Sequence, residues 1–185
     1  LLFLQLSVNA QQKRIYVSND DHTDYMWSAN EATYKTAFLD MLDWWIHYND
    51  STATANSNPF YQSKWNCDGS FWVSTYEKNR SAAQFTKLID QIRSGQITVP
   101  YSPLIVTYGA VPTEAALRGM YYAGDLERRF NLDLDMAISM ENQTLPLGLS
   151  SLWKGSGAKY CWYGVCNCGT NITGLSNRQN QVDWY

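Results

Sequence analysis

The chain has 185 residues, 45% of them hydrophobic and 17% charged, which is one domain's worth of ordinary globular composition with enough apolar mass to bury a core. A net charge of −3 without any Lys/Arg-rich run gives no electrostatic footprint for nucleic acid or an anionic membrane surface. Beyond the N-terminal run there is no stretch of about 18 apolar residues, so no membrane span is expected.

Leu1 to Ala10 has the character of the end of an apolar targeting segment, closing on the small-residue site Val8-Asn9-Ala10. Residues 1–11 are therefore expected to be a signal-peptide remnant, with a secreted or periplasmic protein starting near Gln11 or Gln12; a short N-terminal strand is the alternative. Next, Arg14 to Ser18 has strand character and ends in Asn19-Asp20-Asp21-His22-Thr23-Asp24. Loops after the carboxyl ends of strands carry ligands in α/β folds, and a His-x-Asp pair offers one imidazole nitrogen and one carboxylate oxygen to a divalent ion. An acidic turn capping the following helix is the inert alternative.

Tyr34, Phe38, Met41, Leu42, Trp45 and Ile46 recur at helical spacing, and the run Ser51 to Pro59 is expected to be the exit loop. Ser63 to Ser70 is expected as a short strand delivering Trp65, Cys67 and Asp68. Ser81-Ala-Ala-Gln84 is a capping-box signature before Phe85, Leu88, Ile89 and Ile92, with Gly95 as the stop. Ile97 to Tyr101 forms the next expected strand. It is followed by a loop from Ser102 to Pro112 and a helix from about Thr113 with Ala116, Leu117, Met120 and Tyr121 on its buried face. Met136 to Glu141 is a further apolar strand; Thr144, Pro146, Leu149, Leu152, Trp153 and Gly155 then outline a helix, and Ala158 to Val165 a last strand.

Strands alternating with helices at this spacing predict right-handed βαβ units. The expected fold is α/β: an incomplete (β/α) barrel of about five parallel strands and four helices, with residues 12–185 as the N-terminal part of a catalytic domain continuing past Tyr185. His22, Asp24, Asp68, Tyr101 and Glu141 would then converge from the ends of four strands. Eight Trp and thirteen Tyr exceed what packing requires, and rings at loop positions are platforms for sugars. Cys161, Cys166 and Cys168 cluster far from Cys67, and their pairing stays open; their spacing does not suit zinc.

From Arg14 to Gly164, about 150 positions, order and context resemble the N-terminal catalytic domain of glycoside hydrolase family 38, the retaining α-mannosidases. The family's first strand ends in His-x-Asp followed three residues later by Trp, matched here by His22, Asp24 and Trp27. Its later landmarks are similar to Trp65-Asn-Cys-Asp68, Ser94-Gly-Gln-Ile97 and Thr113-Glu114-Ala115. The family nucleophile is an Asp in an Asp-Pro-Phe-Gly-His context, whereas this chain has Ser139-Met140-Glu141-Asn142-Gln143.

The resemblance implies zinc held by His22, Asp24 and Glu141, with Glu141 as nucleophile. It implies Trp27, with Asp68 and Tyr101, against the carbohydrate, and retaining hydrolysis of α-mannosides. The family's acid/base Asp and a further zinc-ligand His lie far downstream, so this stretch is expected to be inactive by itself. A zinc-dependent polysaccharide deacetylase is the alternative enzyme, although its His-x3-His pair is absent. A non-catalytic carbohydrate-binding protein is the alternative outside enzymes. The oligomeric state is not legible.

Overall fold

Asn30 opens the first helix, α1 (Glu31–Ala55), by accepting the backbone N–H of Thr33 on its side-chain oxygen at 3.0 Å. The computed structural model describes residues 22–106, 108–139, 146 and 148–163. The strand expected before His22, together with Asp20, Asp21, Glu141, Thr144, Cys166 and Cys168, lies outside them. Phe38, Leu42 and Ile46 bury one face of α1, as their spacing predicts, with Phe38 stacked on Trp72 at 4.3 Å and Trp45 on Trp65 at 5.7 Å. The helix runs four residues past the expected exit at Ser51. Its hydroxyls bond back within the helix, Ser51 to the His47 carbonyl and Thr54 to the Asp50 carbonyl, both at 2.8 Å. They are thereby satisfied without unwinding the turn.

Strand β1 (Trp65–Asn66) leads through Cys67 and Asp68 to a sharp turn at Gly69, where α2 (Ser70–Asn79) begins. Ser70 and Phe71 donate their backbone N–H groups to the carbonyls of Ser102 and Pro103, both at 2.9 Å. Helix α3 (Ala82–Arg93) starts with the expected capping box between Ser81 and Gln84. It closes on Gly95 at φ +72, with Gln96 N–H bonded to the Gln91 carbonyl and Gly95 N–H to that of Ile92. That pair of bonds is the Schellman arrangement for which glycine is favoured.

Strand β2 (Ile97–Thr98) pairs in parallel with β1, Trp65 opposite Ile97 and Asn66 opposite Thr98. After it come α4 (Thr113–Gly119) and α5 (Tyr121–Phe130). Strand β3 (Met136–Ser139), α6 (Leu149–Ser156) and β4 (Tyr160–Tyr163) then form a second parallel pair, Met136 opposite Tyr160 and Ser139 opposite Tyr163. Ala116 and Met120 are buried as expected, but Tyr121 is exposed. Two bonds join the strand pairs: Tyr101 N–H to the Met136 carbonyl at 2.9 Å, and the Ser102 hydroxyl to the Ile138 carbonyl at 2.8 Å.

The parallel pairing with helical crossovers follows the βαβ expectation, but the barrel of about five strands does not hold. Among the described residues the chain is mostly helical, with two small two-stranded sheets. The stretch after Ser70, for which the sequence pattern predicts no element, forms α2, whose Trp72, Val73 and Tyr76 are buried as the helix packs on α1, α3 and α5. The turn at Gly69 ends β1 after two residues. Likewise, α6 begins at Leu149 after its N-cap Gly148 and stops at Gly157 (φ +112) rather than Gly155.

Two polar networks lock the helices together. The first is buried: Asn49 of α1 donates its amide to Gln91 Oε1 at 3.1 Å, and Gln91 Nε2 donates to the Ile46 carbonyl at 2.8 Å and to Asp50 Oδ1 at 2.7 Å. In the second, Glu77 of α2 receives Arg129 of α5 through Nη1 and Nη2 at 2.6 and 3.1 Å, and the Tyr122 hydroxyl at 2.7 Å. Hydrogen bonding from Arg129 is the main cause holding the Glu77 carboxyl below its ordinary range. A carboxyl depressed on folding contributes stability that is complete above its unfolded value, about pH 4.3, and is lost as pH falls through its lower folded value. Glu77→Gln is therefore expected to flatten the acid limb of a plot of melting temperature against pH and to leave least difference from wild type at the acid end. Parallel limbs for the two proteins would exclude this coupling.

Candidate functional site

The site is built where the segment 22–28 lies over the carboxyl end of β1. Asp68 is 2% exposed, and its Oδ2 accepts the backbone N–H of Thr23 at 2.7 Å. A charged acceptor makes this one of the stronger hydrogen bonds available to a loop. It places His22 and Asp24, which flank Thr23, directly beside the Asp68 turn. Tyr25 drives its ring into the core edge, stacked with Phe38 at 6.0 Å and edge-on to Tyr34 and Phe71 at 5.6 Å each, while its hydroxyl donates to Glu31 at 3.2 Å. Further along, the Tyr34 hydroxyl accepts the Ser28 N–H at 3.3 Å and lies 3.1 Å from the Ser28 hydroxyl.

Between these anchors the chain makes a tight turn, Trp27 N–H to the Asp24 carbonyl at 3.0 Å, with Met26 at φ +64. A non-glycine residue in this left-handed region costs roughly 1–2 kcal/mol. The outcome is an indole presented outward: Trp27 is 85% exposed on a turn pinned on both sides. The helix that follows is capped by Asn30, so Asp24 is not its cap.

His22 Nε2 stands 3.3 Å from Asp24 Oδ1, with side chains 32% and 55% exposed. Two ligands at 2.0–2.2 Å from a tetrahedral zinc ion are about 3.4 Å apart, so this spacing suits shared ligation. The pair supplies two donors. Glu141, the expected third, lies outside the described residues, and among those described no three His, Cys, Asp or Glu side chains group as a metal site.

The structure thus brings His22, Asp24, Trp27 and Asp68 to one place. Tyr101 is spent elsewhere. Its ring is buried and its hydroxyl donates to Glu127 of α5 at 2.8 Å, which, after burial, raises its pKa above the ordinary tyrosine value. Glu127 Oε1 also accepts the Leu134 N–H at 2.9 Å, and a Cβ on Gly157 would stand 2.6 Å from the Tyr101 hydroxyl. Tyr101 is a strut between β2, α5 and the end of α6. Glu114 pairs with Arg118 on the surface of α4 at 2.8 Å.

No protein-family model matches this chain, and no curated protein sequence matches it. The sequence pattern places Tyr34 only on the apolar face of the first helix and gives no role to Tyr25 or Ser28, yet these three hold the turn in place; a tyrosine inside an otherwise polar, acidic turn is the available sign. Half of the six other described tryptophans are core: Trp65, Trp72 and Trp153 are buried, whereas Trp44 is exposed. Among the described residues no helix is long and apolar enough to cross a membrane.

Proposed function

We propose that this chain carries part of the active site of a zinc-assisted glycoside hydrolase acting on α-mannosides. The observation that supports the reading most is the His22–Asp24 pair at 3.3 Å beside an outward-facing Trp27 on a pinned turn. A bound zinc ion would supply a Lewis acid and a template for two sugar hydroxyls. His22 and Asp24 would hold it. Trp27 offers the apolar face of a pyranose a stacking surface, and Asp68 keeps both ligands in position by fixing Thr23.

Glu141, two residues beyond Ser139 at the end of β3, is the carboxylate that would attack the anomeric carbon. The sugar passes to its oxygen as the glycosidic bond breaks, and water then releases it. Retention requires a second carboxyl about 5–5.5 Å away to protonate the leaving oxygen, which is assigned to none of the residues described above. The choice of α-mannoside comes from the likeness of His22, Asp24 and Trp27 to the mannosidase pattern.

The test is zinc content and hydrolysis of an aryl α-mannoside by the full-length protein, with and without chelator. Chelator-sensitive turnover is the expected result. His22→Ala should abolish zinc binding and turnover while changing stability by no more than about 0.5 kcal/mol, because an exposed loop ligand carries little packing. An equal loss of melting temperature and activity would make His22 structural. Zinc without glycosidase turnover would favour a deacetylase, and sugar binding without zinc a non-catalytic carbohydrate-binding protein.

A further inference from the structure

Two Asn-x-Ser triplets fall among the described residues, Asn49-Asp50-Ser51 and Asn79-Arg80-Ser81, and the fold treats them in opposite ways. This pattern is the acceptor signature for N-glycosylation, and its use requires an asparagine whose modified side chain can remain in solvent. Asn49 is 0% exposed, and its Nδ2 is the donor to Gln91 in the buried network between α1 and α3. A sugar on that nitrogen would occupy the space of Gln91 and keep the two helices apart. Asn79 is exposed at the last position of α2, where Nδ2 donates to the Thr75 carbonyl at 2.8 Å.

We infer that Asn79 is an N-glycan acceptor and that Asn49 is not. The inference rests on the expectation that the chain is exported. The donor class is a polyprenyl-pyrophosphate oligosaccharide. Nδ2 of Asn79 forms a bond to C1 of the sugar as the C1–O bond to pyrophosphate breaks, the lipid pyrophosphate leaves with the bonding pair, and the amide gives up one of its two protons to a carboxylate base of the transferase. The remaining N–H still serves the Thr75 carbonyl, so α2 keeps its last turn. Helix α2 starts beside Asp68 and rises about 1.5 Å per residue, which sets the glycan roughly 14 Å from the candidate site and leaves that site open.

The experiment expresses the chain in a eukaryotic cell line behind a strong export leader. Glycopeptides of the secreted product are then mapped by mass spectrometry before and after peptide N-glycosidase treatment. With the leader, Asn79 is expected to be glycosylated. Asn79→Gln should remove one glycan's worth of gel retardation, Ser81→Thr should keep it, and Asn49→Gln should leave mobility unchanged. Unmodified Asn79 in the exported leader chain overturns the assignment, and a glycan on Asn49 in folded, secreted protein overturns its second half.

Discussion

Gly69→Ala is expected to lower the melting temperature by roughly 6–12 °C, the equivalent of about 3 kcal/mol in a domain of this size. Gly69 has φ −173, extended backbone open to any residue, so its requirement is spatial rather than conformational. A Cβ there would stand 2.1 Å from the Pro103 carbonyl oxygen and 2.7 Å from its carbon. Both atoms are backbone, and Pro103 is held by the same carbonyl, which accepts the Phe71 N–H at 2.9 Å. No side-chain rotation relieves the clash; the turn from β1 into α2 has to open. Gly155→Ala in α6 is the control, because nothing lies within 4 Å of its Cβ position, and a small gain of about 0.5 kcal/mol is expected there. Thermal melts of the two variants followed by circular dichroism decide the matter. A Gly69→Ala protein melting with wild type would mean that the turn does not rest on Pro103.

The second large effect is on the site. Asp68→Ala removes the acceptor of the Thr23 N–H and leaves that donor under-satisfied near a buried carboxylate position, at a cost of about 1.5–3 kcal/mol. Groups that orient metal ligands typically carry 10- to 100-fold in metal affinity, and on the proposed function a fall of that size in zinc binding is expected for Asp68→Ala. Asp68→Asn, whose amide oxygen can still accept, should retain most of the affinity. Calorimetric titration of zinc into the three proteins separates the cases. Identical affinities would show that Thr23 needs no anchor to hold His22 and Asp24 together.

Where the sequence was legible, the cause was local and chemical. Ser81 and Gln84 announce the start of α3 because each satisfies the other's orphan backbone group, and Gly95 announces its end because the closing turn needs a left-handed residue. The parallel pairing of Ile97 and Met136 with their neighbours follows from apolar runs separated by helical ones. The barrel was not legible correctly because strand length depends on partners distant in sequence. The run from Ser63 reads as a strand, yet Gly69 turns it onto Pro103, 34 positions further on, and the next residues bury as a helix.

The site shows the same division. His22, Asp24, Trp27 and Asp68 carry their chemistry on their faces, and the turn brings them together. Tyr101 carries the same apparent promise, but its hydroxyl is claimed by Glu127, 26 positions away, and nothing in the local pattern around Tyr101 signals that partner. Tyr25 has the opposite history: a ring with no obvious role that proves to anchor the loop through Phe38 and Phe71.

On helix α1 the polar Asn49 is sealed inside at the end of the stripe Phe38, Leu42 and Ile46, while Trp44 and Tyr48, stacked at 4.9 Å, face solvent. Turning the helix to bury the aromatic pair would lift Phe38, Leu42 and Ile46 out of the core and leave Gln91 in the interior without its amide partner. The Asn49–Gln91 pair thus reinforces, through a directional bond, the angular setting that the apolar stripe already favours. Phe38 on the same stripe stacks on Tyr25, so that setting also supports the turn that carries Trp27.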